Sequence, residues 1–321
     1  MLYAAAEIIG EGGHMRGIRF DGQGTRQPFE VAELAEPVPG PGQLVVRTEA
    51  VGVGIGIVRM LAGGSMPSSG PGGEMVGHVA AVGPEVTGYE IGDRVGGVVF
   101  EGLYADAVLA SPALISLVPR GIDAGDALSL VRGGLIALSV LRAARFERGE
   151  SVLVTAAASG TGHLAVQLAK ALGASRVVAA VGSADKADFA RSCGADEVVT
   201  YSGESWGEPV DVVLDGVGGE LVQRGVDALA PHGRLVAFSA GGGTVDAGSL
   251  LGELKSVIGF SIGLISRRQP ELVDERRAEL WALLAGGALR PAATTLPFDR
   301  LAEAVELIES RRNLGRVLLR H

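Results

Sequence analysis

The chain contains a single cysteine, Cys193, in 321 residues. One thiol excludes a disulfide framework within the chain and any multi-cysteine zinc site. Basic charge is also scarce: 28 Lys and Arg against 37 Asp and Glu leave a net charge of -9. That balance argues against nucleic acid or an anionic membrane surface as the main partner, since both call for a basic face. No apolar run approaches the ~18 residues of a membrane span. The opening MLYAAAEIIGEGGHMRG lacks the basic segment and long apolar core of a secretion signal. A cytoplasmic protein is expected. Residues 1–14 carry no period and read either as a disordered extension or as the product of an upstream start codon.

Glycine, by contrast, is abundant at 50 residues, about twice its usual share of ~7 %. No three-residue period orders these glycines, so collagen is excluded, and tight turns and close backbone approaches account for them. Hydrophobic residues make up 47 % and charged residues 20 %, a balance that folds rather than stays disordered. The length suits two domains, because single cores stop growing at roughly 250 to 300 residues.

From Val31 to Ser116, short β-rich runs alternate with glycine and proline. Residues 45–53, 77–83, 93–100 and 105–110 read as strands of a small antiparallel barrel or sandwich. After Pro119 the texture changes. Leu128, Val131, Leu135, Leu138 and Leu141 fall three and four apart, which is helical spacing. Then SVLVTA, RVVAAV, EVVTY, VDVVLDGVG and GRLVAFSA alternate as strands with helices such as HLAVQLAKALG, the pattern of βαβ units on a parallel sheet. That sheet ends near Lys255 to Phe260. The remaining tail of helices and short strands is expected to rejoin the first domain.

The chemical signal lies between the strand at Val152 and its helix, in AAASGTG, residues 156–162. A turn of small residues lets a diphosphate approach the backbone, and the helix N-terminus offers free N–H groups to its charge. Against the pattern G-x-G-x-x-G, Ala157 and Ser159 replace the first two glycines and Gly162 keeps the third, so an ordinary tight turn remains the bland alternative. The next strand, RVVAAVGSADK, has no acid at its end to hold ribose hydroxyls. Ser183 and Lys186 stand there instead. A hydroxyl and an ammonium suit a 2′-phosphate, which favours NADPH over NADH.

Together these residues resemble the zinc-independent quinone oxidoreductase branch of the medium-chain dehydrogenase/reductase superfamily. The likeness runs from Met15 to His321. It is carried by GHVAAVGPEVTGYEIGDRV (77–95), AAASGTGHLAVQLAKALGA (156–174), VVLDGVGGE (212–220), GRLVAFSA (233–240) and GRVLL (315–319). The resemblance implies an α/β chain in two parts. A GroES-like barrel would take residues 15–120 and 262–321, a Rossmann domain residues 121–261, and the protein would be a homodimer. It further implies that NADPH is held by Ala157, Ala158, Ser159, Gly160, Thr161 and Gly162, by Ser183 and Lys186, by Tyr201, by the loop Phe238, Ser239 and Ala240, and by Arg316.

Departures from the family pattern are equally visible. Where zinc relatives carry a ligand cysteine and quinone reductases carry Asn and Asp, this chain reads AVGVGIGIV, with Gly54 and Ile57 at the latter two places. Glu74 is kept without its preceding histidine, and Ile136 replaces a threonine. No metal is expected. Hydride transfer to a quinone or α,β-unsaturated carbonyl would then rest on positioning and on hydrogen-bond donors at the enolate. Tyr104, where relatives carry a tyrosine near the cleft, is the candidate to orient or protonate the substrate; the plain alternative is a barrel tyrosine with a structural hydroxyl. The depleted lining also supports a second reading, a redox-neutral or auxiliary protein acting as a cyclase, isomerase or binder on the same fold.

Overall fold

The computed structural model describes residues 13–20, 29–63, 66, 67, 69–238 and 241–321. The chain divides into two units. Met1–Val118, Leu296–Glu309 and Leu319–His321 form the first, and Pro119–Thr295 with Ser310–Leu318 the second. Of the expected N-terminal extension, residues 1–12 lie outside the described residues, while His14 already opens the first strand.

The first unit is antiparallel. β1 (His14–Phe20) pairs with β2 (Phe29–Ala35). β3 (Leu44–Val53), β4 (Pro71–Val82), β5 (Arg94–Glu101), β6 (Ala107–Ala110) and β7 (Ile115–Leu117) follow. Here β3, β4, β5 and β7 are successive neighbours and β6 pairs with β3. All four strands read from the sequence are present, and β4 begins six residues before the segment 77–83 that announced it. Glycine allows the sheet to close up: a Cβ on Gly77 would stand 2.2 Å from the Arg47 carbonyl oxygen across β3 and β4. Glu74 of β4 pairs with Val98 of β5 and is buried. The helix Ile55–Gly63 carries Ile57, also buried.

The second unit holds a parallel sheet of six strands: β8 (Ser151–Val154), β9 (Arg176–Val181), β10 (Glu197–Thr200), β11 (Val210–Asp215), β12 (Leu229–Ala237) and β13 (Ser256–Gly259). Their order across the sheet is β10-β9-β8-β11-β12-β13. The chain starts at the centre, winds outward to β10, then returns beside β8 and winds the other way. That reversal between β8 and β11 is where open α/β sheets bind ligands, at the carboxyl ends of the strands.

Alternation along each strand builds two cores. Val152, Val154, Val177, Ala179, Val212 and Leu214 face one helical layer, while Leu153, Val178, Ala180 and Val213 face the other. Every second residue changes face, so strands buried on both sides are apolar throughout. The helix Ala124–Ala143 is, by length and composition alone, able to cross a membrane, but 72 % of its apolar window is buried inside the protein. It is a core helix, with a π-helical stretch at Ser129–Gly134.

The tail departs from expectation. Residues 262–295 pack with the second unit, and the chain returns to the first only at Leu296. The cause is burial: along the helix Pro270–Ala285, Val273 and Leu280 enter the same core as Leu138 and Leu141, as does Leu289 beyond it. β14 (Ala293–Pro297) and β15 (Arg316–Arg320) straddle the boundary in sequence.

Candidate functional site: a nucleotide-binding turn

β8 runs into a turn that bends sharply at Ala156, a non-glycine residue with φ of +49°. Several bonds hold this bend. The Ala156 N–H donates to the Tyr201 hydroxyl at 2.8 Å, and the Gly162 N–H to Ser159 Oγ at 3.0 Å. The Ser159 N–H closes back on the Ala156 carbonyl at 2.8 Å. The helix Gly162–Ala171 then begins. Gly162 has to be glycine, because a Cβ there would lie 2.0 Å from the Ala156 carbonyl oxygen.

Among the described residues, the N–H groups of Ala158, Gly160 and Thr161 find no acceptor. Three free donors at a helix N-terminus, at the carboxyl edge of a parallel sheet, form a ready anion site. The space on either side is tight. Gly133, in the π-helical stretch, would bring a Cβ to 3.1 Å from the Gly160 carbonyl oxygen, and Gly160 would bring one to 3.0 Å from Arg316 Cδ. Gly315 donates its N–H to the Ala158 carbonyl at 2.9 Å. Arg316 is therefore laid along the turn.

The remaining expected residues gather nearby to different degrees. Ser183 is exposed at the end of β9. Lys186, half-buried, donates to the Arg311 carbonyl, and its pKa is lowered, first by burial and further by the Arg311 guanidinium. Tyr201 lies close to Gly182, where an added Cβ would sit 3.7 Å from the ring. Burial raises its pKa, and the Ala156 N–H and Arg311 charge oppose that rise. Arg224 holds the Tyr201 loop by donating to the carbonyls of Tyr201 and Gly203. Phe238 donates its N–H to the Asp215 carbonyl at 3.0 Å. Ser239 and Ala240 lie outside the described residues.

Arg311 and Thr155 escaped the sequence, whereas Asp215 is legible there as the acid that ends the fourth strand of the sheet. Arg311 brings a guanidinium near both Lys186 and Tyr201; only its place just before the closing Gly-Arg-Val could have drawn attention to it. Thr155 and Asp215 tie the ends of β8 and β11. The threonine hydroxyl donates to Asp215 Oδ1 at 2.8 Å and accepts from the Gly216 N–H at 2.9 Å. Asp215 also accepts from the N–H of Gly218 at 2.9 Å, so a fully buried carboxylate shapes the second turn at the switch point.

Tyr104 belongs to the first unit. It is 3 % exposed, and its hydroxyl donates to the Gly52 carbonyl at 3.0 Å. Direct proton donation would require it to leave that bond. Cys193 is half-buried, with its thiol pKa pushed up by burial, which suits an inert side chain. Among the described residues, no group of three or more His, Cys, Asp or Glu side chains could hold a metal ion.

Comparison with known proteins agrees with this layout. Residues 40–119 match the alcohol dehydrogenase GroES-like domain, and residues 160–277 match the zinc-binding dehydrogenase family. A quinone oxidoreductase of Pseudomonas aeruginosa is 32 % identical, over 94 % of this chain and 98 % of its own. A mycocerosic acid synthase-like polyketide synthase of Mycolicibacterium smegmatis is 28 % identical over 92 % of the chain, which spans only 15 % of that protein's length. The crystal structure of Escherichia coli quinone oxidoreductase complexed with NADPH superposes with a TM-score of 0.86 at 29 % identity, covering 95 % of this chain and 100 % of that one. The chain belongs to the medium-chain dehydrogenase/reductase superfamily, a family of oxidoreductases, in its quinone oxidoreductase-like branch.

Proposed function

We propose that this protein is a zinc-independent NADPH-dependent reductase that reduces a quinone or an α,β-unsaturated carbonyl, working as a cytoplasmic homodimer. The observation that carries the proposal is the turn at Ala158–Thr161, with three free N–H groups at the sheet's switch point. These groups and Arg316 fit the diphosphate of a dinucleotide. Ser183, Lys186 and Arg311, with no acid at the end of β9, fit a 2′-phosphate and so select NADPH. The E. coli relative, complexed with NADPH, supports the same choice.

When bound, NADPH supplies a hydride. This chain's share is to bind and orient: Gly160 and Gly162 keep the turn narrow, Tyr201 props it at Ala156, and Phe238 flanks the Asp215 turn. Metal independence is supported by Gly54 and Ile57, which offer no ligand atoms, and by the single thiol, Cys193, in the second unit. Tyr104 would act on the substrate side by fixing the Gly52 carbonyl.

Dimerisation is supported by β13, an edge strand paired only with β12 among the described residues, and by Leu251 and Leu254 exposed just before it. Enoyl thioesters are themselves α,β-unsaturated carbonyls and join the substrates worth testing. NADPH absorbance, followed with a panel of quinones, enones and enoyl thioesters, is expected to fall with at least one class. NADPH binding without oxidation by any of them would move the account to the redox-neutral reading, which buried Ile57 and half-buried Ile136 favour.

A further inference from the structure

His163 takes no part in the proposed chemistry, yet it is fully buried as the second residue of the helix that follows the turn. Its two ring nitrogens face different segments. Nε2 accepts the Ala292 N–H at 3.0 Å. The ring proton is therefore on Nδ1, which lies 2.8 Å from the Ser159 carbonyl and donates to it. Burial keeps the imidazole neutral, with its pKa pushed down to about 4.

These bonds close a circuit. Ala292, held by His163 through its N–H, accepts the Arg316 N–H on its carbonyl at 2.8 Å. The residue before Arg316, Gly315, donates to the Ala158 carbonyl at 2.9 Å. Ala158 leads directly into Ser159, whose carbonyl receives the imidazole. So the turn, the helix, the segment at Ala292 and the closing Gly315–Arg316 are locked into one ring, in which His163 is the side-chain link to the turn, while Gln167 ties the same helix to Arg290. Gly315 leaves no slack, because a Cβ there would meet the Ala292 carbonyl oxygen at 2.1 Å at a φ of +72°.

We propose that His163 is a positioning residue for the nucleotide turn: by joining Ser159 to Ala292 it fixes the backbone from Ala158 to Thr161, whose N–H groups receive the dinucleotide diphosphate. The proposal rests on the dinucleotide reading of that turn. Donors fixed before binding need no ordering when the anion arrives. A ring opened at His163 leaves the part-buried Ala292 N–H without its acceptor and the Ser159 carbonyl with only the His163 backbone N–H at 3.1 Å, and the turn is what gives way.

The test is the Kd for NADPH, read by nicotinamide fluorescence on the whole chain. His163→Leu removes both bonds and is expected to weaken NADPH binding at least tenfold. His163→Gln keeps an acceptor and a donor, and is expected to return the Kd to within threefold of the parent. A His163→Leu protein with a lowered Tm but a Kd within twofold of the parent overturns the proposal, because the histidine would then be structural only. If His163→Leu fails to fold, Gly315→Ala opens the ring from its other side and must weaken NADPH binding comparably; an unchanged Kd overturns the proposal there. Failure of the unaltered protein to bind NADPH removes the dinucleotide reading itself, a result distinct from either variant's.

Discussion

Lowering the pH from 7 to 5 is expected to cost the folded state about 2 kcal/mol through His163 alone. The free imidazole titrates at 6.5, while burial holds His163 at about 4 in the fold. Between those values the unfolded chain binds a proton that the native protein refuses. The contribution is therefore fully present above pH 6.5 and drains away as the pH falls toward 4. Its full size, the gap between 6.5 and about 4, is about 3 kcal/mol. His163 is 0 % exposed, so solvent does not discount that figure. The cost has a structural origin. A second ring proton would point Nε2–H at the Ala292 N–H, donor against donor. The assay is urea unfolding at pH 7, 6 and 5 for the parent and His163→Gln, followed by a probe of the second unit. His321, whose pKa burial also lowers, contributes a slope of the same sign, but it is common to both proteins and cancels in the comparison. The parent should lose about 2 kcal/mol more than the variant across this range. Equal pH slopes would refute the reasoning, since no buried neutral imidazole would then be at work.

Other consequences follow from the same contacts. Thr155→Val strips the buried Asp215 carboxylate of a donor and should destabilise the fold by about 2 kcal/mol, read as a lower urea midpoint with an unchanged slope. Tyr104→Phe leaves the buried Gly52 carbonyl without its 3.0 Å donor and should cost about 1 to 2 kcal/mol in stability. Its turnover is expected to fall at least tenfold, about 1.4 kcal/mol in the barrier; unchanged turnover would confine the tyrosine to that structural bond. Leu251→Glu combined with Leu254→Glu places charge beside the β13 edge, and should shift the proposed dimer to monomer in sedimentation without lowering NADPH affinity; a parent that already sediments as a monomer would remove the dimer proposal.

The sequence was most legible where a period carried the message. Strands buried on both faces, such as Val152–Val154 and Val177–Val181, announce a parallel sheet by unbroken apolar residues, and the small-residue turn between Val154 and His163 marks the site. Less legible was anything decided by distant partners. The helix Pro270–Ala285 reads as a tail element, and only Val273 and Leu280, sunk into the core beside Leu138, show that it packs with the second unit. The role of His163 is not legible, because its partners lie at Ser159 and at Ala292, 129 positions further on. Arg311 gave no signal either, since its proximity to Lys186 and Tyr201 comes from the return of the chain before β15. Glu74 and Tyr104 show the converse. Their residue types suggest chemistry, and the structure buries both within strand and loop contacts of the first unit.

The claim most open to a direct test is that the turn at Ala158–Thr161, with Ser183, Lys186 and Arg311 beside it, selects NADPH. Titrating the purified protein with NADPH and with NADH, followed by nicotinamide fluorescence, measures it. Tighter binding of NADPH, lost at least tenfold in Lys186→Ala while NADH affinity stays the same, is the predicted result. Equal affinity for the two nucleotides, or an unaltered preference in Lys186→Ala, would contradict the assignment of the 2′-phosphate to this corner of the sheet.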